Sequence, residues 1–383
     1  MHPSMQAAVA ITPSIIAARQ EIEQKRRIPA ALNKKMVDAG LFRMLVPMDI
    51  GGLEVEPWQY VEALEVLAEA DASAAWCTMI AASTCLKSAF LDRDIAAKIY
   101  GPKDVVHGGV FAPNGRADID GDDFIINGTW QWASGSPNCT WLTGGAVVYE
   151  DGEMQRLPNG GPNARQTLFP ASEATLGDDW YVNGLCGTSS GSMTVENVRI
   201  PQKHSVSLTM DKQKFGGPLY VFPSFGLLAL GIATVALGNA KGAIADLVEL
   251  ADGKTPQGAR KVLAQRVHSQ IELAQATAAL RGARAYLEES VGQAWNEAQN
   301  VGKISTEARC HIRLACTHGT KTAADVSRVM YELGGGTSLF LASPLQRRFR
   351  DAYAATQHMM VAPPTLELTG RILMGVDTDL TFL

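Results

Sequence analysis

Two stretches of this chain bring together side chains that could do chemistry. Near the C-terminus, Arg347-Arg348-Phe349-Arg350-Asp351-Ala352 runs into Tyr353-Ala354-Ala355-Thr356-Gln357-His358. Read as a helix, this puts Asp351 two turns before His358 on one face, with Ala354 and Ala355 leaving room for something flat to approach. Histidine titrates near neutrality, so His358 is a candidate proton donor or acceptor. The competing reading is an ordinary Arg347–Asp351 surface pair and a histidine satisfied in the core. In mid-chain, Gly128-Thr129-Trp130-Gln131-Trp132-Ala133-Ser134-Gly135 offers flat aromatic faces and, two residues past Trp132, a hydroxyl on the same side of a strand. There the alternative is that both tryptophans are core and Ser134 opens a turn with Gly135.

Three kinds of chain must position these residues. From about Thr12 to Ile99, apolar positions follow helical spacing (Val61, Leu64, Leu67, Ala68), with breaks at Pro47-Met48-Asp49-Ile50-Gly51-Gly52 and Gly101-Pro102. The helix opening at Asp71-Ala72-Ser73 continues Ala74-Ala75-Trp76-Cys77, apolar nearly all round, and should be central. From Val105 to about Pro201 the pattern becomes short β-rich runs over residues 105–110, 123–127, 141–149, 166–170 and 193–200. With hairpin signals at Asp120-Gly121-Asp122 and Asn127-Gly128, they predict a small antiparallel barrel or sandwich. After a polar loop through Gly216-Gly217-Pro218, Ala-rich helices are predicted over residues 224–251, 259–299 and 305–333, an all-α bundle. The expected domains are residues 1–104, 105–215 and 216–383.

Bulk properties narrow the function. With 383 residues, 46% hydrophobic and 19% charged, the chain can bury a large core. A net charge of −5 and a pI near 5.8 supply no basic field for nucleic acid or anionic lipid, and neither partner is expected. The apolar run over residues 225–237 is too short to span a bilayer. The N-terminus lacks a secretory pattern, and the six cysteines show no CxxC pair or framework spacing, so free thiols in a reducing, cytoplasmic compartment are expected. Cys310, His311, Cys316 and His318 do not complete a tetrahedral set, and no metal site is expected. No dinucleotide fingerprint or P-loop is present.

The order helical domain, β domain, helical bundle resembles the acyl-CoA dehydrogenase fold superfamily over nearly the whole chain. Three patterns carry the resemblance. Gly128 to Gly135 resembles the G-x-x-x-W-x-(S/T) strand beside the flavin, implying that Trp132 walls the ring and Ser134 hydrogen-bonds its N5 edge. Gly184-Leu185-Cys186-Gly187-Thr188-Ser189-Ser190 resembles the glycine-hydroxyl loop, which implies that Gly187 and Thr188 approach the cofactor. Gly334-Gly335-Gly336 with Arg350-Asp351-Ala352 resembles the C-terminal turn and R-D-A helix, where the family binds part of the flavin and packs subunits. Lys254 falls near a phosphate-binding arginine of relatives, Gln265 matches a recurrent glutamine, and Phe111-Ala112-Pro113 leads into a loop, Asn114 to Asp118, over the flavin edge.

The superfamily holds two chemistries. Dehydrogenases need a carboxylate base, but the position after the R-D-A helix reads His358-Met359-Met360-Val361, and residues 201–247 contain only Asp211 and Asp246 as acids. Glu367, beyond Pro363-Pro364, is the remaining substitute, and an acyl-CoA dehydrogenase with a relocated base is the second reading. Trp132, Ser134-Gly135 and the later His358 resemble instead the two-component flavin-dependent monooxygenases. That resemblance implies reduced flavin (FMN or FAD) and O2 as co-substrate, a C4a-hydroperoxyflavin held by Ser134, and proton transfer by His358 near neutral pH. It also implies a small aromatic or hydrophobic substrate, a separate NAD(P)H:flavin reductase and a homotetramer. One departure is that relatives carrying a histidine on the central helix read Ser83-Thr84-Cys85 here.

Overall fold

The computed structural model describes the whole chain except Leu208, Thr209 and Phe382. Helices α1 (Pro3–Lys25), α2 (Ala30–Asp38), α3 (Pro57–Ala70), α4 (Ala72–Thr84) and α5 (Arg93–Tyr100) build the N-terminal part. Pro57 sits in the first turn of α3 behind a Glu56/Gln59 capping box. Asp71 begins α4 by accepting the Ala74 N–H at 3.0 Å. Every α4 residue except Ile80 is buried, so this helix is central, as its all-round apolar surface requires.

The middle of the chain forms one eight-stranded sheet from β1 (His107–Asp120), β2 (Asp123–Trp130), β3 (Trp141–Glu150), β4 (Glu153–Met154), β5 (Ala164–Pro170), β6 (Thr175–Leu176), β7 (Met193–Pro201) and β8 (Ser205–Val206). Its order is β6-β7-β2-β1-β3-β5-β8, with β4 paired to β3. The expected antiparallel barrel or sandwich is corrected to a mixed sheet, because β1 and β3 run parallel. The Asp120–Asp123 hairpin forms as expected. Asn127-Gly128 is not a turn but lies inside β2, and the expected Asn114–Asp118 loop is part of β1 beside a register shift.

Trp130 explains both irregularities. Its ring is fully buried, and a Cβ added to Gly128 or Gly144 would approach it to 2.7 or 2.5 Å. The strands must therefore be bare where the indole lies, while its Nε1–H donates to the Gly145 carbonyl at 2.9 Å. Gly144→Ala should cost roughly 1–3 kcal/mol by overpacking this slot, read as a lower urea midpoint with an unchanged slope.

Helices α6 (Ser224–Gly253), α7 (Val267–Val301), α8 (Thr306–Gly334), α9 (Pro344–Ala355) and α10 (Pro364–Leu373) form the C-terminal part. Helix α6 is long and apolar enough to cross a membrane, but 89% of its most apolar window is buried inside the protein. Helix α7 begins at Val267 rather than residue 259, since Leu263 N–H instead closes a turn on the Lys254 carbonyl at 2.7 Å. Helix α9 is locked to α3 and α6 by Arg348, which pairs with Asp246 at 2.9 Å and donates to the carbonyls of Ala68 and Glu69 at 3.1 and 2.6 Å.

Candidate active site

Four side chains from three segments make a continuous hydrogen-bonded line. The Trp76 Nε1–H, from α4, donates to Ser134 Oγ at 3.2 Å; Ser134 meets Ser190 Oγ at 2.6 Å; Ser190 meets Thr188 Oγ1 at 2.7 Å. Thr188 Oγ1–H in turn donates to the Leu185 carbonyl at 2.8 Å. A hydroxyl has one hydrogen, so the terminal carbonyl sets the direction of the whole line. Thr188 can only accept from Ser190, and Ser190 only from Ser134. Ser134 Oγ is thus left with its proton committed and one lone pair free: at this site it is an acceptor.

The backbone holds this line in place. Gly135 N–H donates to the Thr188 carbonyl at 2.7 Å and Ala133 N–H to the Gly191 carbonyl at 3.1 Å, coupling the two loops. Leu185 and Ser189 have left-handed φ of 52° and 46°, a conformation that costs such residues on the order of 1–3 kcal/mol each. Asp351 holds the first of them, accepting the Leu185 N–H at 2.6 Å. Burial, with Asp71 nearby, pushes the Asp351 carboxyl up to about 7. The R-D-A helix therefore reaches the site through the loop backbone. Trp132 also has a left-handed φ, 64°, and is 71% exposed. The two tryptophans split the alternatives: Trp130 is core, whereas Trp132 presents a bare aromatic face beside Ser134.

His358 joins the group by a route different from the expected one. Helix α9 stops at Ala355, so His358 lies in the following turn and shares no helical face with Asp351. Its ring lies 5.9 Å from that of Trp76. Met360 N–H donates to Nδ1 at 3.2 Å, which places the proton of the neutral ring on Nε2. Burial, then Arg313, lowers its pKa to about 4. The expectation of a group titrating near neutral pH is corrected: at pH 7 His358 is a neutral N–H donor.

The other predicted residues separate. Thr188 belongs to the hydroxyl line, but Gly187 serves packing, since a Cβ there would come within 2.1 Å of Ile22 and 2.9 Å of Ser73. Half-buried Phe111 meets Phe225 edge-on at 6.2 Å. Lys254 donates to the Gly334 carbonyl and to Thr337 Oγ1 at 2.7 Å. With Gly335 close by, it closes the C-terminal end of α8, and this group makes no contact with the Ser134 line among the described residues. Trp76 and Ser190 were missed as site residues, although both stood in stretches already singled out. The acids a dehydrogenase would need are committed or distant: Asp211 pairs with Arg165, Asp246 with Arg348, and Glu367 is exposed on α10.

Residues 7–92 match the family described as acyl-CoA dehydrogenase, N-terminal domain, and residues 230–363 its C-terminal domain. The indole-3-acetate monooxygenase of Pseudomonas putida is 32% identical over 361 residues, covering 93% of this chain and 89% of that protein. The chain belongs to the flavin-dependent monooxygenase branch of the acyl-CoA dehydrogenase fold superfamily. A further member of this branch, the oxygenase subunit HsaA of Mycobacterium tuberculosis, is 28% identical over 91% of the chain and 89% of its own length. The crystal structure of the M. tuberculosis HsaA monooxygenase superposes with a TM-score of 0.89 at 26% identity, covering 99% of both chains. Membership in the branch brings a reduced flavin, and the site fits one: Trp132 offers an open planar face, and Ser134 offers an acceptor two residues on.

Proposed function

We infer that the chain is the oxygenase component of a two-component monooxygenase, receiving reduced flavin from a separate reductase and inserting one oxygen atom of O2 into a small aromatic substrate. The flavin, when bound, supplies the electrons that activate dioxygen. The observation that carries the reading is the direction of the hydroxyl line. Reduced flavin bears a hydrogen on N5 and oxidised flavin a lone pair, so Ser134, held as an acceptor by Ser190 and Thr188, favours the reduced form. Trp132 covers the ring, and the neutral N–H of His358 serves a developing negative charge on oxygen. Relatives named for indole-3-acetate and for resorcinol support an aromatic substrate. The superfamily resemblance supports a homotetramer, which light scattering on the purified protein would check, and the scattered free cysteines support a reducing, cytoplasmic setting.

Anaerobic titration tests the reading. Reduced flavin should bind about 10- to 100-fold tighter than oxidised flavin, and Ser134→Ala should remove most of that difference. Equal affinity of the unmodified protein for both forms would overturn the assignment of Ser134.

A further inference from the structure

Lys87, in the short turn after α4, is 1% exposed and has no hydrogen-bond partner among the described residues. An ammonium taken out of water is normally paired, because its desolvation is costly. Among the described residues no carboxylate bears on Lys87. Its Nζ stands 4.7 Å over the Phe111 ring, His107 lies within its field, and the Cys85 thiol beside it is pushed up to about 12 by burial and so stays neutral. Burial lowers Lys87 itself to about 7. Two further buried polar atoms of neighbouring residues have no partner among the described residues: Thr84 Oγ1, three residues before Lys87, and Oε1 of Gln166, whose amide Nε2–H donates to the Phe111 carbonyl at 2.9 Å. Interiors rarely leave such atoms unmatched, and an unpaired Lys87 with an unpaired Thr84 hydroxyl one turn before it marks a place suited to a polar ligand group.

The spacing connects this place to the reaction. Trp76, Ile80, Thr84 and Lys87 follow one another at helical intervals, so they share one face of α4 and its extension. At one end of that face, Trp76 touches Ser134 and His358; in the middle is Ile80, the one α4 side chain that is not buried; at the other end is Lys87. Trp76 and Lys87 lie roughly 16 Å apart along the axis, and a side chain leaning back toward the helix start shortens the gap to about 10 Å. That is the length of an aromatic ring system bearing a short acid arm.

We propose that Lys87, assisted by Thr84, binds the carboxylate of the substrate, which is an aromatic acid lying along Ile80 and Phe111 with its reacting ring at Ser134 and His358. The proposal rests on the oxygenase reading for its orientation but is tested by binding alone. Calorimetric titration of the full chain uses matched pairs: indole-3-acetate and indole-3-acetamide, 4-hydroxyphenylacetate and its amide. At least one acid should bind about 30-fold or more tighter than its amide, and Lys87→Met should abolish that preference while changing amide affinity little. Lys87→Arg should restore part of it. An unchanged acid-to-amide ratio in Lys87→Met, or no preference in any pair for the unmodified protein, would overturn the proposal. If Lys87→Met fails to fold, the ratio in the unmodified protein decides by itself. Failure of the oxygenase reading looks different: the acid binds selectively, yet reduced flavin and dioxygen yield no oxygenated product from it.

Discussion

His358→Ala should lower the rate of oxygen insertion about 100- to 1,000-fold, the usual effect of deleting one preorganised donor at a developing oxyanion. The imidazole is fixed by Met360 N–H at Nδ1, so its Nε2–H is the group lost. His358→Gln keeps an N–H and should retain part of the rate, whereas a residue that had to carry a proton would not be rescued. The pH profile separates the two further. With the pKa lowered from 6.5 to about 4, turnover should show no inflection near 6.5 on its acid side. The same shift affects stability. As pH falls below 6.5 the unfolded chain takes up the proton while the folded chain does not, so stability is lost progressively down to about 4. His358→Gln should flatten that dependence in urea melts at graded pH.

Arg348→Ala should cost about 3–5 kcal/mol of stability, the largest effect expected from a single charge in this fold. Arg348 is 3% exposed, and its removal strands Asp246 and the Ala68 carbonyl without their donor and leaves the Glu69 carbonyl only the longer bond from Arg19 at 3.3 Å. Gly242 is bare so that the guanidinium can pass, since a Cβ there would approach it to 2.5 Å. Because α9 also carries Asp351 to the Leu185 N–H, the variant should weaken flavin binding together with stability. Lys25→Ala, breaking an exposed pair with Glu21 at 2.6 Å, should leave both urea midpoint and flavin affinity unchanged within error.

The helical parts were legible in sequence because period and capping agree: Asp71 caps α4 and the apolar positions of α3 face the core. The sheet was read as antiparallel because strand periodicity carries no information about pairing direction, and the β1–β3 parallel pair is a long-range choice. Asn127-Gly128 resembles a hairpin signal, but Gly128 is there to admit the Trp130 ring, a demand set by a side chain packed from within the sheet. Residue type and resemblance make Ser134, Trp132, Thr188 and His358 candidates, and the fold gathers them around Trp76 and Ser190. The direction of the hydroxyl line was not legible, because it depends on a carbonyl, Leu185, that no sequence pattern marks. Likewise the low pKa of His358 comes from burial and Arg313, contributed by the distant helix α8.

The most direct test of the account is to mix the protein anaerobically with reduced flavin and an aromatic acid, admit isotopically labelled dioxygen, and weigh the product. The account predicts one labelled oxygen atom in the aromatic product, with Ser134→Ala diverting most of the dioxygen to hydrogen peroxide. Hydrogen peroxide as the main product of the unmodified protein with every acid tried, or reduction of bound oxidised flavin by an acyl-CoA, would contradict it.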